Sequence, residues 1–467
     1  MFFKHMKNRK IALEYEFLAI DKTSGEAARR DQVKEIWKAW SLEDHVTLYT
    51  DYGTKQPVGV IYEQKDGKKV IVNSDGGVNI IEFGFLPFDT VLECEQSMKE
   101  IVAEFLSVAE TQNIVLIDLA VQPKTPYYYP DLKTEKTWYR GFYRKEFWAQ
   151  YHHYFSNIAA HQVCIDVPFE DAMKVFDCVN GLSGVMIALC ANSTIESAQK
   201  SLVHEEREHR WNLFTTGYPE KFQRYRGIPK EPLETFQQYV ERNWSLPYIM
   251  TIRDSGKYVH VIPEVDTIKD YFYGNSWSSF DIVLSDRNNI EPSIADVSDQ
   301  LQYGWPMARP RFEFSNEVTL DLFKDAYENK DIDSLLKGKL TKLYIETRCI
   351  ASQPWESIMS APALVFGMIE NIEKAEAFVK SKPWQYWIDL RDKTIEKSLE
   401  VDEVIPLAKA LLDISKEGLQ GRGLGEEKYL EPLYERLEKR ESPAMKSIQE
   451  FEELGIDKFI EKHIIRT

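Results

Sequence analysis

IALEYEFLAI, residues 11–20, is an apolar stretch interrupted by two acids, Glu14 and Glu16. Side chains alternate across a β-strand, so these two acids share one face while Ile11, Leu13 and Phe17 share the other. A rise of ~3.3 Å per residue places the two carboxylates about 7 Å apart. That separation suits two neighbouring metal ions, or one ion and one bound ligand, because hard cations such as Mg²⁺ bind carboxylate oxygens. For this stretch alone, a strand with one solvated face is the simpler interpretation.

The same pattern of one apolar and one polar face recurs in four later segments. These segments are GGVNIIEFGF (76–85), AHQVCIDV (160–167), ARPRFEF (308–314) and LYIETRCIA (343–351). Their polar residues include Glu82, Gln162, Arg309, Arg311, Glu346 and Arg348. If all five strands belong to one sheet, that sheet has a concave polar surface with acids beside guanidinium groups. Clustered acids repel one another unless cations lie between them, and neighbouring arginines indicate a ligand with carboxylate or phosphate groups. Arg309 and Arg311 are therefore predicted to bind an anionic cofactor.

The composition limits the classes of partner. The 75 acids and 58 bases give a net charge of −17, which repels a nucleic acid backbone and an anionic membrane surface, so we expect neither as a main partner. A small anion such as ATP can still bind where cations or arginines offset the field. The five scattered cysteines form no CxxC pair and predict a reduced, cytoplasmic protein. No secretion signal and no membrane span are expected.

The order of the elements predicts an α+β protein with an antiparallel sheet. Strand patterns recur near 11–20, 57–63, 68–73, 78–85, 113–121, 161–167, 247–253, 257–262, 309–314 and 342–350. Helical periodicity fits 91–111, 169–190, 232–242, 355–380 and 402–418. Because the strands do not alternate regularly with helices, a doubly wound parallel sheet is disfavoured. With no linker-like tract in the 467 residues, we predict a single catalytic domain over 1–467, of which 355–467 is a helical C-terminal part.

An aromatic and basic stretch, TPYYYPDLKTEKTWYRGFYRKEFW (125–148), interrupts these elements. Rings mixed with basic residues are typical of single-strand nucleic acid platforms. In a strongly acidic chain, an irregular, partly buried loop at the edge of a substrate pocket is the better interpretation.

Six segments together resemble the glutamate–cysteine ligases, in the order in which that family has them. IALEYEF looks like the family's entry strand, and SDGGVNIIEFG resembles the segment with a later acidic ligand. The remaining four are HQVCIDVPFEDAMKVFDCVNGLSGVMIALCANST (161–194), REHRW (207–211), YIETRCIASQPWESIMSAPALVFGMI (344–369) and ISKEGLQGRGLGEEKYLEPLYERL (414–437). The last of these resembles the C-terminal tail of the plant and proteobacterial branch.

The resemblance implies a glutamine-synthetase-like fold, a curved antiparallel sheet with helices on its convex side. Its inner face would bind ATP, glutamate and two or more divalent ions, Mg²⁺ or alternatively Mn²⁺. By position, the metal ligands would be Glu14, Glu16, Glu82 and Glu346. Gln162 would face the metal and nucleotide site, Arg207 and Arg348 would contact phosphate or the substrate carboxylate, and Asn192 would shape the pocket behind them.

The sequence also departs from the family's pattern. Ala12-Leu13 stands where a glycine usually precedes the first acid, and Thr194 replaces the proline of Ala-Asn-Ser-Pro. The Arg-Gly-Ala-Asp of the branch is Arg348-Cys349-Ile350-Ala351 here, and residues 315–340 look like an insertion. These changes leave ATP and metal chemistry in place and leave the amine acceptor open.

The leading hypothesis is an ATP-dependent ligase that activates the γ-carboxylate of glutamate and forms a γ-glutamyl amide. Arg348, Arg207 and Glu82 are the predicted catalytic residues, and the proton of the amine would be accepted by an acid such as Glu82 or Glu346, or by a metal-shielded carboxylate. The acceptor is cysteine, another amino acid or a different amine. The alternatives are a kinase on the same scaffold that phosphorylates a nitrogen, and a non-catalytic member that binds a nucleotide or an amino acid to regulate a partner. The sequence leaves the oligomeric state open.

Overall fold

A computed structural model describes residues 9–144, 155–215, 224–254, 257–302 and 304–467. The strands in this part of the chain are β1 (Ile11–Asp21), β2 (Val46–Thr50), β3 (Pro57–Glu63), β4 (Lys69–Ser74), β5 (Ile80–Gly84), β6 (Ile114–Ile117), β7 (His161–Asp166), β8 (Ile195–Glu196), β9 (Gln199–Lys200), β10 (Arg226–Gly227), β11 (Thr251–Arg253), β12 (Tyr258–Val261), β13 (Trp277–Asp281), β14 (Asp286–Ile290), β15 (Trp305–Pro306), β16 (Ala308–Phe314) and β17 (Leu340–Thr347).

The helices in the same part of the chain are α1 (Arg30–Trp40), α2 (Val91–Ala109), α3 (Thr137–Arg144), α4 (Phe169–Cys190), α5 (Glu206–Thr215), α6 (Phe236–Trp244), α7 (Ile268–Tyr273), α8 (Ile294–Gln302), α9 (Leu320–Glu328), α10 (Ile332–Leu336), α11 (Ser360–Glu370), α12 (Ile372–Lys380), α13 (Trp384–Lys397), α14 (Val404–Arg422), α15 (Glu431–Lys439) and α16 (Pro443–Lys462).

One large antiparallel sheet organises the molecule. Its strand order is β16–β17–β7–β1–β5–β4–β3–β2, and β6 pairs with the second half of β1. β1 is the central strand, because β5 pairs along one of its edges while β7 and β6 share the other. In this register Glu14 lies opposite Gln162, and Glu16 lies opposite Glu82. The predicted combination of helices with a large antiparallel sheet is confirmed.

The apolar face of this sheet is the main core. Leu13, Tyr15 and Phe17 of β1 are at most 1% exposed. Helices α2 and α11 pack against β1, α1 packs against β3, and α4 packs against β16 and β17. Alternation along β1 therefore buries its hydrocarbon side chains beneath helices and directs its acids to the opposite face.

Helix α4 is long and apolar enough to cross a membrane by length and composition alone. However, 89% of its most apolar window is buried inside the protein. It packs against α12, α13 and the sheet, so its hydropathy is that of a central core helix. All five cysteines are also buried, in agreement with their prediction as core residues.

The polar face of the sheet is covered by α3, α5, α8 and a second, four-stranded sheet in the order β11–β12–β13–β14. Helix α8 joins the two layers, since it contacts both β11 and β16. The segment 315–340, expected to be an insertion, forms α9 and α10. Between residues 355 and 467, all of which the structure describes, the chain forms helices and no strand, as predicted.

Candidate functional site

A cavity of about 1000 Å³ lies between the polar face of the large sheet and its cover. Eight of the ten predicted site residues line it, and they come from strands, a helix and a loop that are distant in the chain. They are Glu14, Glu16, Glu82, Gln162, Arg207, Arg309, Arg311 and Arg348. The other two, Asn192 and Glu346, lie behind its wall.

A cluster of three acids occupies one side of the cavity. Carboxylate oxygens of Glu16, Asp75 and Glu82 lie within 4.8 Å of one another. Burial, followed by the charge of Asp75, raises the pKa of Glu16 to about 8. Burial and the charges of Glu14 and Asp75 raise the pKa of Glu82 well above its usual range. Three oxygen ligands, one buried and two partly buried, whose charges repel one another are a suitable donor set for a divalent cation, which would relieve the repulsion.

Two hydrogen bonds orient these carboxylates. The side-chain amide of Asn73, the neighbour of Glu82 across the sheet, donates to Glu82 Oε1 at 2.9 Å. The backbone N–H of Ala160 donates to Glu16 Oε2 at 2.6 Å. Each bond leaves the second oxygen of its carboxylate available to a ligand.

A second group of possible metal ligands consists of Glu14, Cys164 and Glu346. Burial, followed by the charge of Glu346, raises the pKa of Glu14, and three nearby arginines partly offset this effect. Cys164 is opposite Glu346 in the sheet, and burial keeps the pKa of its thiol well above the usual range. The thiol is therefore a poor ligand for a hard cation, and Glu14 is the group's main contribution to the cavity.

Three arginines surround Glu346 at another part of the cavity wall. Glu346 is fully buried, and its two carboxylate oxygens accept hydrogen bonds from Arg309 Nη2 at 2.7 and 3.1 Å. Arg311 Nε lies 3.2 Å from Oε2, and Arg348 Nη1 donates to Oε1. Although burial opposes it, the charges of these arginines lower the pKa of Glu346 to about 2. Glu346 thus holds an arginine cluster in place, and its role as a metal ligand stays a prediction.

Gln162 connects the two sides. Its Oε1 accepts a hydrogen bond from Arg348 Nη1 at 2.9 Å, and its strand position is opposite Glu14. Arg207 enters from α5, where its backbone N–H bonds Ser193 Oγ at 3.0 Å and its guanidinium pairs with Glu208. The cavity is therefore lined by acids at one side and by four guanidinium groups elsewhere, the arrangement expected for a ligand that carries both cations and phosphate.

Asn192 does not line the cavity. Its side-chain amide donates to the carbonyl oxygens of Asp118 at 2.7 Å and Ser352 at 2.8 Å. It thereby connects the loop after β6 to the loop after β17 behind the arginines. This placement agrees with a residue that shapes the pocket from behind, and the predicted contact with a cofactor stays a prediction.

Several residues that line the cavity were not predicted from the sequence. Asp75 begins the turn Asp75-Gly76-Gly77, which leads into the strand of Glu82. An acidic turn residue shortly before an acid-bearing strand was the feature of the sequence that could have indicated Asp75. Lys136, Trp138 and Tyr139 belong to the aromatic stretch expected at the edge of a pocket, and they do line the cavity. Residues 145–148 of that stretch lie outside the described part of the chain.

An aromatic wall also lines the cavity. The ring of Trp211 stacks on Phe155 at 4.0 Å and on Trp305 at 4.7 Å between centroids. Trp211 is the last residue of the REHRW segment, whereas no pattern in the sequence indicated Trp305. Together with Ile252 and Ile294 from the cover, these rings give the polar cavity a water-excluding side.

Comparison with known proteins identifies one family. Residues 11–453 match the family model described as Glutamate-cysteine ligase family 2 (GCS2). No curated protein sequence matches. Among solved structures, glutamate–cysteine ligase (gshA) from Francisella tularensis in complex with AMP is 11% identical, with a TM-score of 0.49, over 98% of this chain and 87% of that chain.

Two further solved structures are similar. The bifunctional glutathione synthetase from Pasteurella multocida is 12% identical, with a TM-score of 0.48, over 98% of this chain and 52% of that chain. The ligase PafA in complex with the prokaryotic ubiquitin-like protein Pup is 6% identical, with a TM-score of 0.40, over 98% of this chain and 72% of that chain. Likeness at this level carries no argument about activity.

The family match spans every strand that carries a predicted site residue, from β1 to β17. It indicates an ATP-dependent carboxylate–amine ligase, an enzyme that forms C–N bonds. The chain belongs to glutamate-cysteine ligase family 2.

Proposed function

We propose that the protein uses ATP to convert the γ-carboxylate of glutamate into an acyl phosphate and then joins it to an amine, giving a γ-glutamyl amide. The proposal depends on one observation above all: several acids and a cluster of arginines bonded to Glu346 line the same cavity. The acceptor is cysteine or another amine. The proposal includes a single catalytic domain over residues 1–467, a glutamine-synthetase-like sheet whose polar face is concave, and small-molecule substrates in the cytoplasm.

The acid side of the cavity fits divalent cations. Glu16, Asp75 and Glu82 would hold one ion, and Glu14 would contribute to a second. Bound Mg²⁺ would supply positive charge to the phosphates of ATP while the phosphoryl group is transferred. The raised pKa values of Glu16 and Glu82 support this fit, since a cation lets both carboxylates ionise in a buried site.

The arginines would bind the anionic parts of the substrates. Arg348 is fixed by Glu346 and Gln162, and Arg207 by Glu208, so both guanidinium groups are oriented before a substrate arrives. A fixed arginine stabilises the charge of a migrating phosphoryl group without reorganisation. Arg309 and Arg311 would contact a phosphate or the substrate's carboxylate from the edge of the sheet.

The amine must lose a proton as it attacks the acyl phosphate, whose phosphate is the leaving group. The pKa of Glu346, lowered to about 2 by the arginines after opposing burial, makes this residue a weak proton acceptor. Of the two acids considered from the sequence, Glu346 is therefore the less suitable acceptor. The aromatic wall of Phe155, Trp211 and Trp305 would limit hydrolysis of the acyl phosphate by keeping water out.

The test is a product assay with purified protein, ATP, Mg²⁺, glutamate and a panel of amines. Release of phosphate together with a new amide mass supports the ligase. A stable phosphorylated product without amide would instead identify a kinase, and nucleotide binding without turnover on any acceptor would identify a regulator.

The matched variants are Glu82→Gln and Glu63→Gln. Glu82 faces the acid cluster, whereas Glu63 is exposed at the end of β3. We expect the first change to abolish turnover with little loss of folding, because glutamine is nearly isosteric but does not supply an anionic ligand. The second change should leave turnover unaltered. Unaltered turnover in Glu82→Gln would refute its assignment.

A further inference from the structure

The segment that leads into α3 contacts the acid cluster and is bonded to three other parts of the fold. The cover segment, as we call residues 132–139, begins where the carbonyl of Leu132 accepts the N–H of Val78 at 2.8 Å. Its backbone then forms a bridge to Gly77, in the turn that presents Asp75. A Cβ on Gly77 would lie 1.9 Å from the carbonyl oxygen of Ser156, so only glycine lets this turn pack against Ser156.

Two further anchors fix the same segment to the edge of the large sheet and to α1. The Glu135 carboxylate pairs with Lys34 on α1. Asp51, at the end of β2, accepts the backbone N–H of Thr137 at 3.0 Å and also bonds its hydroxyl. A carboxylate at this position satisfies a free N–H at the start of α3 and favours the helix dipole.

Lys136 lies between these anchors, and its side chain lines the cavity. Because Glu135 and Thr137 are held in place on either side, the direction of Lys136 is set by the fold. It is the one lysine among the described residues that line this cavity. Its charge acts on Glu82, where it partly offsets the effects of burial and of the neighbouring acids on that carboxyl's pKa.

Tyr139 lies one helical turn further on and bonds the acid cluster directly. Its hydroxyl donates to Asp75 Oδ1 at 3.0 Å. Of the three acids in the cluster, Asp75 is in a turn, while Glu16 and Glu82 are held within strands. The orientation of the Asp75 carboxylate therefore depends on a side-chain hydrogen bond from the cover segment.

We propose that Lys136 and Tyr139 couple the binding of a divalent cation to the binding of ATP. Tyr139 is a positioning residue that orients Asp75 toward the cation, and Lys136 is a phosphate-binding residue whose positive charge competes with the cation for the acids. With a cation bound, the acids would attract Lys136 less strongly, and its ammonium group would be available to the phosphates. This inference rests on the proposed function, since it takes the acid cluster to be a cation site.

The experiment measures Mn²⁺ affinity by electron paramagnetic resonance of the free ion, with and without a non-hydrolysable ATP analogue. We expect Tyr139→Phe to weaken Mn²⁺ binding about 10- to 100-fold, as the loss of a hydrogen bond to a metal ligand typically does. The control is Tyr128→Phe, which removes a hydroxyl from a ring that is 66% exposed in the same stretch. An unchanged thermal melting temperature of Tyr139→Phe without cations separates positioning from a folding defect.

Lys136→Met has two opposite expected effects. Without nucleotide it should tighten Mn²⁺ binding about tenfold, because a competing positive charge is removed. With Mn²⁺ present it should weaken binding of the ATP analogue by a similar factor, about tenfold. The matched control, Arg140→Met, removes an exposed positive charge from the same helix and should change neither affinity.

Each result supports or overturns the inference. If Tyr139→Phe binds Mn²⁺ as tightly as Tyr128→Phe, or if Lys136→Met behaves as Arg140→Met does, the coupling is refuted while amide formation by the unsubstituted protein still supports the ligase. If the unsubstituted protein binds no Mn²⁺ even with the ATP analogue, the cation site of the proposed function fails, and the inference fails with it.

Discussion

Replacement of Glu346 by glutamine tests whether this buried carboxylate holds the arginine cluster together. The side chain is 0% exposed and is contacted by Arg309, Arg311 and Arg348. Glutamine has nearly the same shape as the ionised glutamate side chain but is neutral. The change therefore leaves three guanidinium groups around a site that no longer offers them an anion.

The size of the effect follows from the pKa of Glu346. Burial opposes ionisation, but the three arginines outweigh it and lower the pKa from 4.5 to about 2. At about 1.4 kcal/mol for each pKa unit, the ionised form stabilises the folded protein by about 3 kcal/mol relative to the neutral form. Because the folded pKa is lowered, this stabilisation is present above pH 4.5 and is lost as the pH falls from 4.5 towards 2. At pH 7, Glu346→Gln should therefore lose about 3 kcal/mol of unfolding free energy.

The assay is urea unfolding at pH 7, with Glu313→Gln as the control on neighbouring β16. Glu313 is 63% exposed and pairs with Lys342 at 3.4 Å, so its replacement should cost less than about 1 kcal/mol. Adding Arg309→Met to Glu346→Gln should recover part of the loss, because it removes one uncompensated buried charge. Equal unfolding free energies for Glu346→Gln and Glu313→Gln would refute the reasoning, as would a double variant whose losses simply add.

Three further outcomes are expected. Mg²⁺ should raise the melting temperature of the unsubstituted protein, and this increase should disappear in Glu82→Gln; an equal increase in both would place the ion elsewhere. Burial raises the pKa of Asp177 to about 7, so the free energy of unfolding should fall as this residue ionises between about pH 4 and pH 7. In urea unfolding, Asp177→Asn should make this fall with rising pH smaller. An equally large fall in the variant would contradict the assignment. On α14, Gly418→Ala should lower the unfolding free energy by about 1–3 kcal/mol, because the new Cβ would lie 2.0 Å from the carbonyl oxygen of Gly367. Gly421 has open space around it, so Gly421→Ala should raise the unfolding free energy by up to about 1 kcal/mol. Similar effects of the two changes in urea unfolding would rule out the close helix crossing.

Elements with strong periodicity could be predicted closely from the sequence. The strand predicted at 57–63 and the helix predicted at 169–190 have the bounds of β3 and α4. The helix predicted over 355–380 is instead a 3₁₀ turn followed by α11 and α12, which meet at Asn371. Its continuous apolar pattern gave no sign of that break, because two successive core helices bury similar side chains.

Other elements lacked a local signal. β13 (WSSFD) and β14 (DRNNI) are rich in polar residues, and their strand conformation depends on pairing with each other and with β12. Helix α1 follows Arg29 rather than a serine, threonine, aspartate or asparagine cap, so its start was not marked. Such elements are determined by tertiary contacts that a single sequence does not display.

The same distinction applies to the site. Acids on strands with an apolar opposite face could be identified one by one, and the fold brings Glu14, Glu16 and Glu82 together. The sequence could not show that Glu346 would be enclosed by arginines, because this depends on the register that places Arg309 opposite it across β16 and β17. Nor could it show Asp75, whose part in the acid cluster depends on how a turn is held beneath the cover segment.

Under the proposed function, the arrangement of charge would allow a protein with a net charge of −17 to bind an anionic nucleotide. Long-range repulsion would disfavour ATP, but at the cavity Arg207, Arg309, Arg311 and Arg348 provide local positive charge. Because Glu346 is enclosed behind Arg309, Arg311 and Arg348, its charge keeps these three in place without occupying the cavity. The carboxylates that would bind a cation are those of Glu16, Asp75 and Glu82, at another part of the cavity wall. A nucleotide carrying a divalent cation would pair its phosphates with the arginines and its cation with the acids. Free ATP or a free cation would make only one of these interactions. This complementarity is the physical basis for expecting the two to bind cooperatively.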